Sequence, residues 1–277
     1  MRIGIDTLRR AIEWLDRRRH ERWRETASPS QPPAVFRINP DNFDSALRCH
    51  EVINLLRGHF RPGVEILEVG SGSAGVTTFL KFPVVGVDTA FERTAAIATP
   101  YLVPIQGSAT DLPFEDASFD VVLSLEMLEH LAAEVRAKAL EEMFRALRPG
   151  GRMIVTFPAD EAAARLDRAL NEAFRRRHGE DHPWSIEHIR EGVPKTGEVV
   201  EVMERVAGDR ATVSVRKHDP GWSWLLHQTI FSVRRWPWLT LVLGIQTRPG
   251  ATLLWHVLRR APGGDHYRTI LVVDKAR

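Results

Sequence analysis

The sequence predicts an α/β fold: a doubly wound, seven-stranded, mostly parallel sheet with helices on both faces and a helical insertion before the last strand. Three observations carry this expectation. The stretch VEILEVGSGSAGVTTFLKFPVVGVDT, residues 64–89, runs apolar strand, glycine-rich turn, helical segment, second apolar strand and acid, the order of a nucleotide-binding βαβ unit. Further apolar runs near 102–106, 119–124 and 151–157 alternate with helical stretches, as parallel strands joined by crossover helices require. Two last runs, near 211–217 and 268–274, finish the sheet.

The elements follow in order. An opening helix over about 6–24 carries Ile5, Leu8, Ile12 and Leu15 on one face, and the break ASPSQPPA at 27–34 ends it. Residues 1–35 are therefore expected to be a basic amphipathic helix with its linker, and 36–277 one domain. A helix over about 42–60 leads into the first strand. Gly70, Gly72 and Gly75 then turn the chain sharply, where a Cβ would push a ligand away. Gly150 and Gly151 after Pro149 mark the turn into the fifth strand, and 160–205 reads as mostly helical. No internal repeat or low-complexity tract interrupts the pattern.

Composition excludes several classes. A chain of 277 residues can bury one substantial core, and its single cysteine, Cys49, leaves no internal disulfide to form. The first residues hold arginines without an apolar core of the kind a signal peptide needs, so a cytoplasmic protein is expected. The longest uncharged apolar run, WPWLTLVLGIQT at 236–247, is too short to span a bilayer. With a net charge of +2 and no long basic stripe, nucleic acid is not the expected partner; oligomeric state is left open.

Charge is nevertheless unevenly spread. Between Asp219 and Asp265 there is no acid, while Arg234, Arg235, Arg248, Arg259 and Arg260 accompany Trp222, Trp224, Trp236, Trp238 and Trp255, five of the chain's eight tryptophans. Lying between the last two strands, this insertion at about 220–264 allows three readings: tryptophans packed on the core, a cap over the substrate, or peripheral contact with an anionic membrane.

Glycines at 70, 72 and 75 fit both a dinucleotide such as NAD and S-adenosylmethionine (SAM). Glu68 separates the two. Two residues before Gly70, its carboxylate would repel a pyrophosphate resting on the helix N-terminus and attract the ammonium of SAM, which has no phosphate. Asp88, at the tip of the second strand, is set to accept from ribose hydroxyls.

Two more runs, QGSATDLPFEDASFDVVLSLEMLEHL at 106–131 and LRPGGRMIVTFP at 147–158, complete a resemblance to the class I SAM-dependent methyltransferases, in particular the small-molecule group labelled methyltransferase type 11. It covers about residues 36–160 and implies a Rossmann-like sheet whose last strand is antiparallel. It further implies Glu68, Gly70, Ser71 and Gly72 around the methionine part, Asp88 and Thr89 at the ribose, Ser108 and Ala109 at the adenine, and Leu125 beside the cofactor, with S-adenosylhomocysteine as product. Two positions depart from the family pattern: Ala74 stands for the third loop glycine, and Ser108 for the usual acid, leaving a weaker or backbone-made contact to the adenine amino group. The activity implied is methyl transfer to a hydroxyl or amine of a small-molecule, glycan or lipid-linked acceptor; the alternatives are an NAD-type oxidoreductase and a non-catalytic SAM-binding protein.

Methyl transfer is an in-line displacement, so the protein must align nucleophile, methyl and sulfur, and remove a proton where the acceptor is a hydroxyl. LEMLEHL supplies Glu126, Glu129 and His130 at the end of the fourth strand. His130 is the candidate base, with Glu126 as a second catalytic residue. The same spacing resembles the metal-binding element of ubiquinone-pathway and small-RNA 2′-O-methyltransferases, which implies Glu126, Glu129 and His130 as ligands of a divalent metal, with His178, His182 or His188 as a further one. The remaining reading is helix capping and packing. In HGEDHPWSIEHIREGVP, 178–194, His182, Glu187 and His188 either line the acceptor pocket or sit on the surface of a helix begun by Pro183, with Trp184 packed inward.

Overall fold

The structure, a computed structural model, describes residues 34–61, 63–90, 99–234 and 237–277. The expected N-terminal helix lies outside the described residues, as do Arg235 and Trp236. Seven strands form one sheet: β1 (Ile66–Val69), β2 (Val84–Asp88), β3 (Leu102–Gln106), β4 (Phe119–Leu125), β5 (Leu147–Pro158), β6 (Ala211–Pro220) and β7 (His266–Lys275). Their order is β3-β2-β1-β4-β5-β7-β6, with β3 to β5 parallel throughout and β7 antiparallel to both neighbours. Order reverses between β1 and β4, and a ligand binds outside the carboxyl ends of strands at such a point.

Eight α-helices cover the described sheet: α1 (Phe43–Leu55), α2 (Ala133–Ala146), α3 (Asp160–His178), α4 (Pro183–Glu191), α5 (Thr196–Ala207), α6 (Gly221–Phe231), α7 (Pro237–Val242) and α8 (Arg248–Leu258). Helix α2 forms because Ala139, Leu140, Met143 and Phe144 fall on one face, which it buries against β4 and β5 with α5 beside it. On the opposite face, α1 and α8 bury Phe43, Val52, Ile53, Trp255 and Leu258. Burial of each such large side chain contributes on the order of 2 kcal/mol.

Two local expectations are corrected. After the glycine turn the chain makes only a 3-10 helix, Gly75–Thr78, because Val76, Phe79, Leu80 and Phe82 are all buried and Val84 already begins β2. The turn at Pro149 lies within β5, which starts at Leu147 and carries a bulge opposite Phe119 and Val121; Gly150 takes φ 77° there, and a Cβ on Gly151 would sit 2.7 Å from the Asp120 carbonyl.

The insertion is partly core. Trp224 stacks on Tyr267 at 3.7 Å, and Trp255 stacks on Phe36 at 5.4 Å, while Trp222 and Trp238 are exposed. No helix among the described residues is long and apolar enough to cross a membrane.

Candidate active site

The glycine turn joins β1 to the 3-10 helix and crosses the end of β2, where the Gly70 and Ser71 N–H groups donate to the Val87 carbonyl. Gly70, Gly72 and Gly75 all take positive φ. A Cβ on Gly70 would lie 2.5 Å from Met127, and one on Gly75 would lie 2.1 Å from the Glu68 carboxylate. At Gly72 a Cβ would meet nothing within 4 Å, so the turn presents open space on that side.

Both expected acids hold this turn. Glu68, 1% exposed, accepts from the Val76 N–H at 2.9 and 3.1 Å, so its carboxylate occupies the N-terminus of the 3-10 helix. Burial raises its pKa to about 8, against the opposing effects of that hydrogen bond and of Arg48. Asp88 accepts from the Gly72 N–H at 2.9 Å and the Ala90 N–H at 3.0 Å. A carboxylate has about four acceptor positions, so Asp88 keeps capacity for ribose hydroxyls. Thr89 is exposed beside it. Beyond β3, on the same side of the switch point as Asp88, Ser108 pairs its hydroxyl with Thr110 at 2.8 Å and Ala109 packs on the core; across the switch point, Leu125 is buried at the end of β4.

Glu126 follows β4 with φ 57°, an uncommon conformation for a residue with a side chain. Its carboxylate accepts from Thr156 Oγ1 at 3.0 Å and Arg268 Nε at 3.1 Å. Arg268, 3% exposed, also donates to Asp44 at 2.7 Å and to Asp219. His227 lies 3.5 Å from Asp44. The sequence reading missed Arg268, Asp44 and Asp219; the one available signal was an arginine inside the apolar run of the last strand.

Beyond Glu126 the chain makes a 3-10 turn, Leu128–His130. Glu129 is fully buried, and neither of its carboxylate oxygens has a hydrogen-bond partner among the described residues. Burial, and then the nearby Glu126 carboxylate, push its pKa well above the usual range. It does not cap α2, which starts after Ala132 without a side-chain cap. His130 turns its Nδ1 to Glu187 at 2.9 Å and remains exposed; burial of part of the ring and the neighbouring His188 lower its pKa.

Helix α4 completes the group. His188 is buried, its Nδ1 3.0 Å from Asp167, which also accepts from the Tyr267 hydroxyl at 2.8 Å. With Nδ1 turned to that carboxylate, Nε2 is left without a partner among the described residues. Glu129, His130 and His188 each bring one potential ligand atom within 4.8 Å of the others. Among the other residues expected here, Pro183 does start the helix, but Trp184 is exposed and His182 is buried as its N-cap, which reverses the expected packing; His178 ends α3 against the Val233 carbonyl.

Residues 67–155 match the model of a family described as "Methyltransferase domain". Over 116 residues the chain is 35% identical to a protein of Mycolicibacterium smegmatis named "Probable S-adenosylmethionine-dependent methyltransferase", covering 40% of this chain and 44% of that one. Over 110 residues it is 37% identical to a demethylmenaquinone methyltransferase of Symbiobacterium thermophilum, covering 35% and 43%. The chain thus spans less than half the length of these curated relatives. Its fold is similar to that of the [4+2]-cyclase SpnF, with a TM-score of 0.52 at 16% identity over 84% of this chain and 82% of that one.

Proposed function

We propose that the protein, whose residues 67–155 match a methyltransferase domain, transfers a methyl group from SAM to a hydroxyl or amine of a small-molecule, glycan or lipid-linked acceptor. The carrying observation is Glu68: its carboxylate already takes the Val76 N–H, the helix-terminal donor on which a dinucleotide would rest its pyrophosphate. Gly72 supplies the open cradle, Asp88 the acceptor for ribose, and Ser108 with Ala109 the wall for adenine. When bound, SAM supplies a methyl group already activated on sulfur.

The chain's own residues then orient the acceptor and take its proton. His130 is exposed at the carboxyl end of β4, and Glu187 steadies its Nδ1, leaving Nε2 to accept that proton. A lowered pKa keeps the ring neutral near neutral pH, as a base must be. Glu126 acts as a positioning residue, since Arg268 and Thr156 already engage its carboxylate.

A second reading adds a divalent metal, favoured by the unpartnered Glu129 carboxylate. Glu129, His130 and His188 fit as ligands, and Asp167 and Glu187 behind the two imidazoles are the carboxylates that metal-binding histidines usually have. Glu126 does not fit, being held by Arg268. One carboxylate and two imidazoles suit zinc, iron, cobalt or manganese, and a bound cation would lower the pKa of an acceptor hydroxyl; Nε2 of His130 would then be a ligand instead of a base.

The test is calorimetric titration of the purified protein with S-adenosylhomocysteine and, separately, with NAD, followed by acceptor screening with labelled SAM. Binding of S-adenosylhomocysteine alone and label transfer to an acceptor are the expected results. NAD binding would overturn the use made of Glu68, and cofactor binding with no transfer to any acceptor would leave a SAM-binding protein without turnover.

A further inference from the structure

The α7–α8 hairpin carries the largest concentration of exposed apolar side chains among the described residues. Trp238 is 68% exposed, Leu241 71% and Val242 77%, and Leu243 continues the face beyond α7. On α8, Leu253 and Val257 are one helical turn apart and both exposed, while Ala251, Trp255 and Leu258 are buried against α1 and its surroundings. Helix α8 is thus anchored in the core by one side, while its other side and α7 offer apolar groups to whatever lies outside.

Charge selects the occupant. No acidic residue lies between Asp219 and Asp265. Arg234, Arg248 and Arg260 flank the apolar face, exposed and without a salt bridge among the described residues. Arg259 is used differently, stacked over Trp255 at 4.9 Å. A protein partner would normally answer an apolar core with a rim of mixed charge, whereas the segment that carries this face holds charges of one sign only. Tryptophan and aliphatic side chains surrounded by arginine match the interface of a bilayer with anionic headgroups: the apolar groups enter the headgroup–acyl boundary and the guanidiniums meet phosphate.

We propose that the α7–α8 face docks this protein on an anionic lipid surface. The two helices follow β6 after α6 and precede β7, so they belong to the insertion between the last two strands. Lipid binding itself does not depend on the methyltransferase reading, and can succeed or fail without it.

The test is co-sedimentation of the full chain with vesicles of phosphatidylglycerol and phosphatidylcholine, against vesicles of phosphatidylcholine alone. Binding is expected on the anionic vesicles, at least about tenfold weaker on the neutral ones, and weakened by salt as electrostatic attraction to a charged surface must be. The double variant Leu241→Glu with Val242→Glu changes only exposed positions and should lose about tenfold or more in binding, with an unchanged circular dichroism spectrum. Arg248→Glu with Arg260→Glu should bring anionic binding down to the neutral level. Absence of binding to anionic vesicles, equal binding to both kinds, or full binding by both double variants would overturn the proposal. So would a dimer in sedimentation velocity that Leu241→Glu dissociates while vesicle binding is absent, because the face would then belong to a second copy.

Discussion

The guanidinium of Arg268 on β7 donates through Nε to the carboxylate of Glu126 at the end of β4, at 3.1 Å, across 142 residues of sequence. The same guanidinium reaches Asp44 on α1 and Asp219 on β6 through its other nitrogens. One buried cation therefore ties together four elements at the carboxyl edge of the sheet, and fixes the backbone at Glu126 where φ is 57°.

Replacing Arg268 by Met should be strongly destabilising, by about 3–5 kcal/mol, because three carboxylates would be left without their cation. Burial pushes the Asp44 carboxyl up, but Arg268, then His227 and Arg48, outweigh it and hold it well below its usual 3.8. A depressed carboxyl stabilises the fold above its unfolded pKa, and this contribution is lost as pH falls toward the folded value. Denaturant titrations of Arg268→Met and wild type should differ most near neutral pH and converge in acid; a difference independent of pH would remove the network from this role.

The glycine turn should tolerate side chains unequally. Gly72→Val would meet no neighbour within 4 Å, so its cost is the strain of a β-branched residue at a φ of 53°. It should fold with reduced stability yet lose S-adenosylhomocysteine binding by at least about a hundredfold, a loss expected of Asp88→Ala too. Gly75→Ala should lower stability as well, since its Cβ would lie 2.1 Å from Glu68 at a φ of 48°. Calorimetry and thermal melts on the three variants check this, and normal affinity in both Gly72→Val and Asp88→Ala would sink the assigned pocket.

Glu68 should leave a mark on the pH dependence of stability. Folded, it keeps its proton to about pH 8, whereas the unfolded chain releases it near 4.5. A raised carboxyl favours folding below its unfolded pKa, and that contribution disappears as pH rises toward 8. Glu68→Gln keeps an oxygen acceptor for the Val76 N–H and has no proton to lose. Its melting temperature should therefore gain on wild type as pH rises from about 5 to about 8; parallel curves would contradict the assignment.

Metal ligation predicts which acids matter. Dialysis against Co²⁺ followed by absorption spectroscopy should show d–d bands and about one ion per chain, and His188→Ala and Glu129→Gln should abolish them. Asp167→Asn should weaken binding by about tenfold or more through the orientation of His188. Glu126→Gln should leave the stoichiometry intact. Loss of the ion with Glu126→Gln, or no ion in wild type, would dismiss this ligand set.

The sequence by itself determined the seven strands, their order of appearance, the glycine turn and the places of Glu68 and Asp88 beside it, because period, turn chemistry and short-range spacing are local quantities. Glu68 and Val76, or Gly72 and Asp88, come together through a single βαβ unit. Local signals also had limits: one of the two readings they allowed for 178–194 put Trp184 in the core and His182 on the surface, and packing of α4 on α3 reversed both. Only the tertiary structure decided that Glu126 belongs to Arg268 and that His188, 58 residues after His130, stands beside it with their rings 5.1 Å apart. A buried carboxylate accepts whichever cation or donor the fold delivers, and that depends on contacts between elements far apart in the chain, which no local pattern encodes.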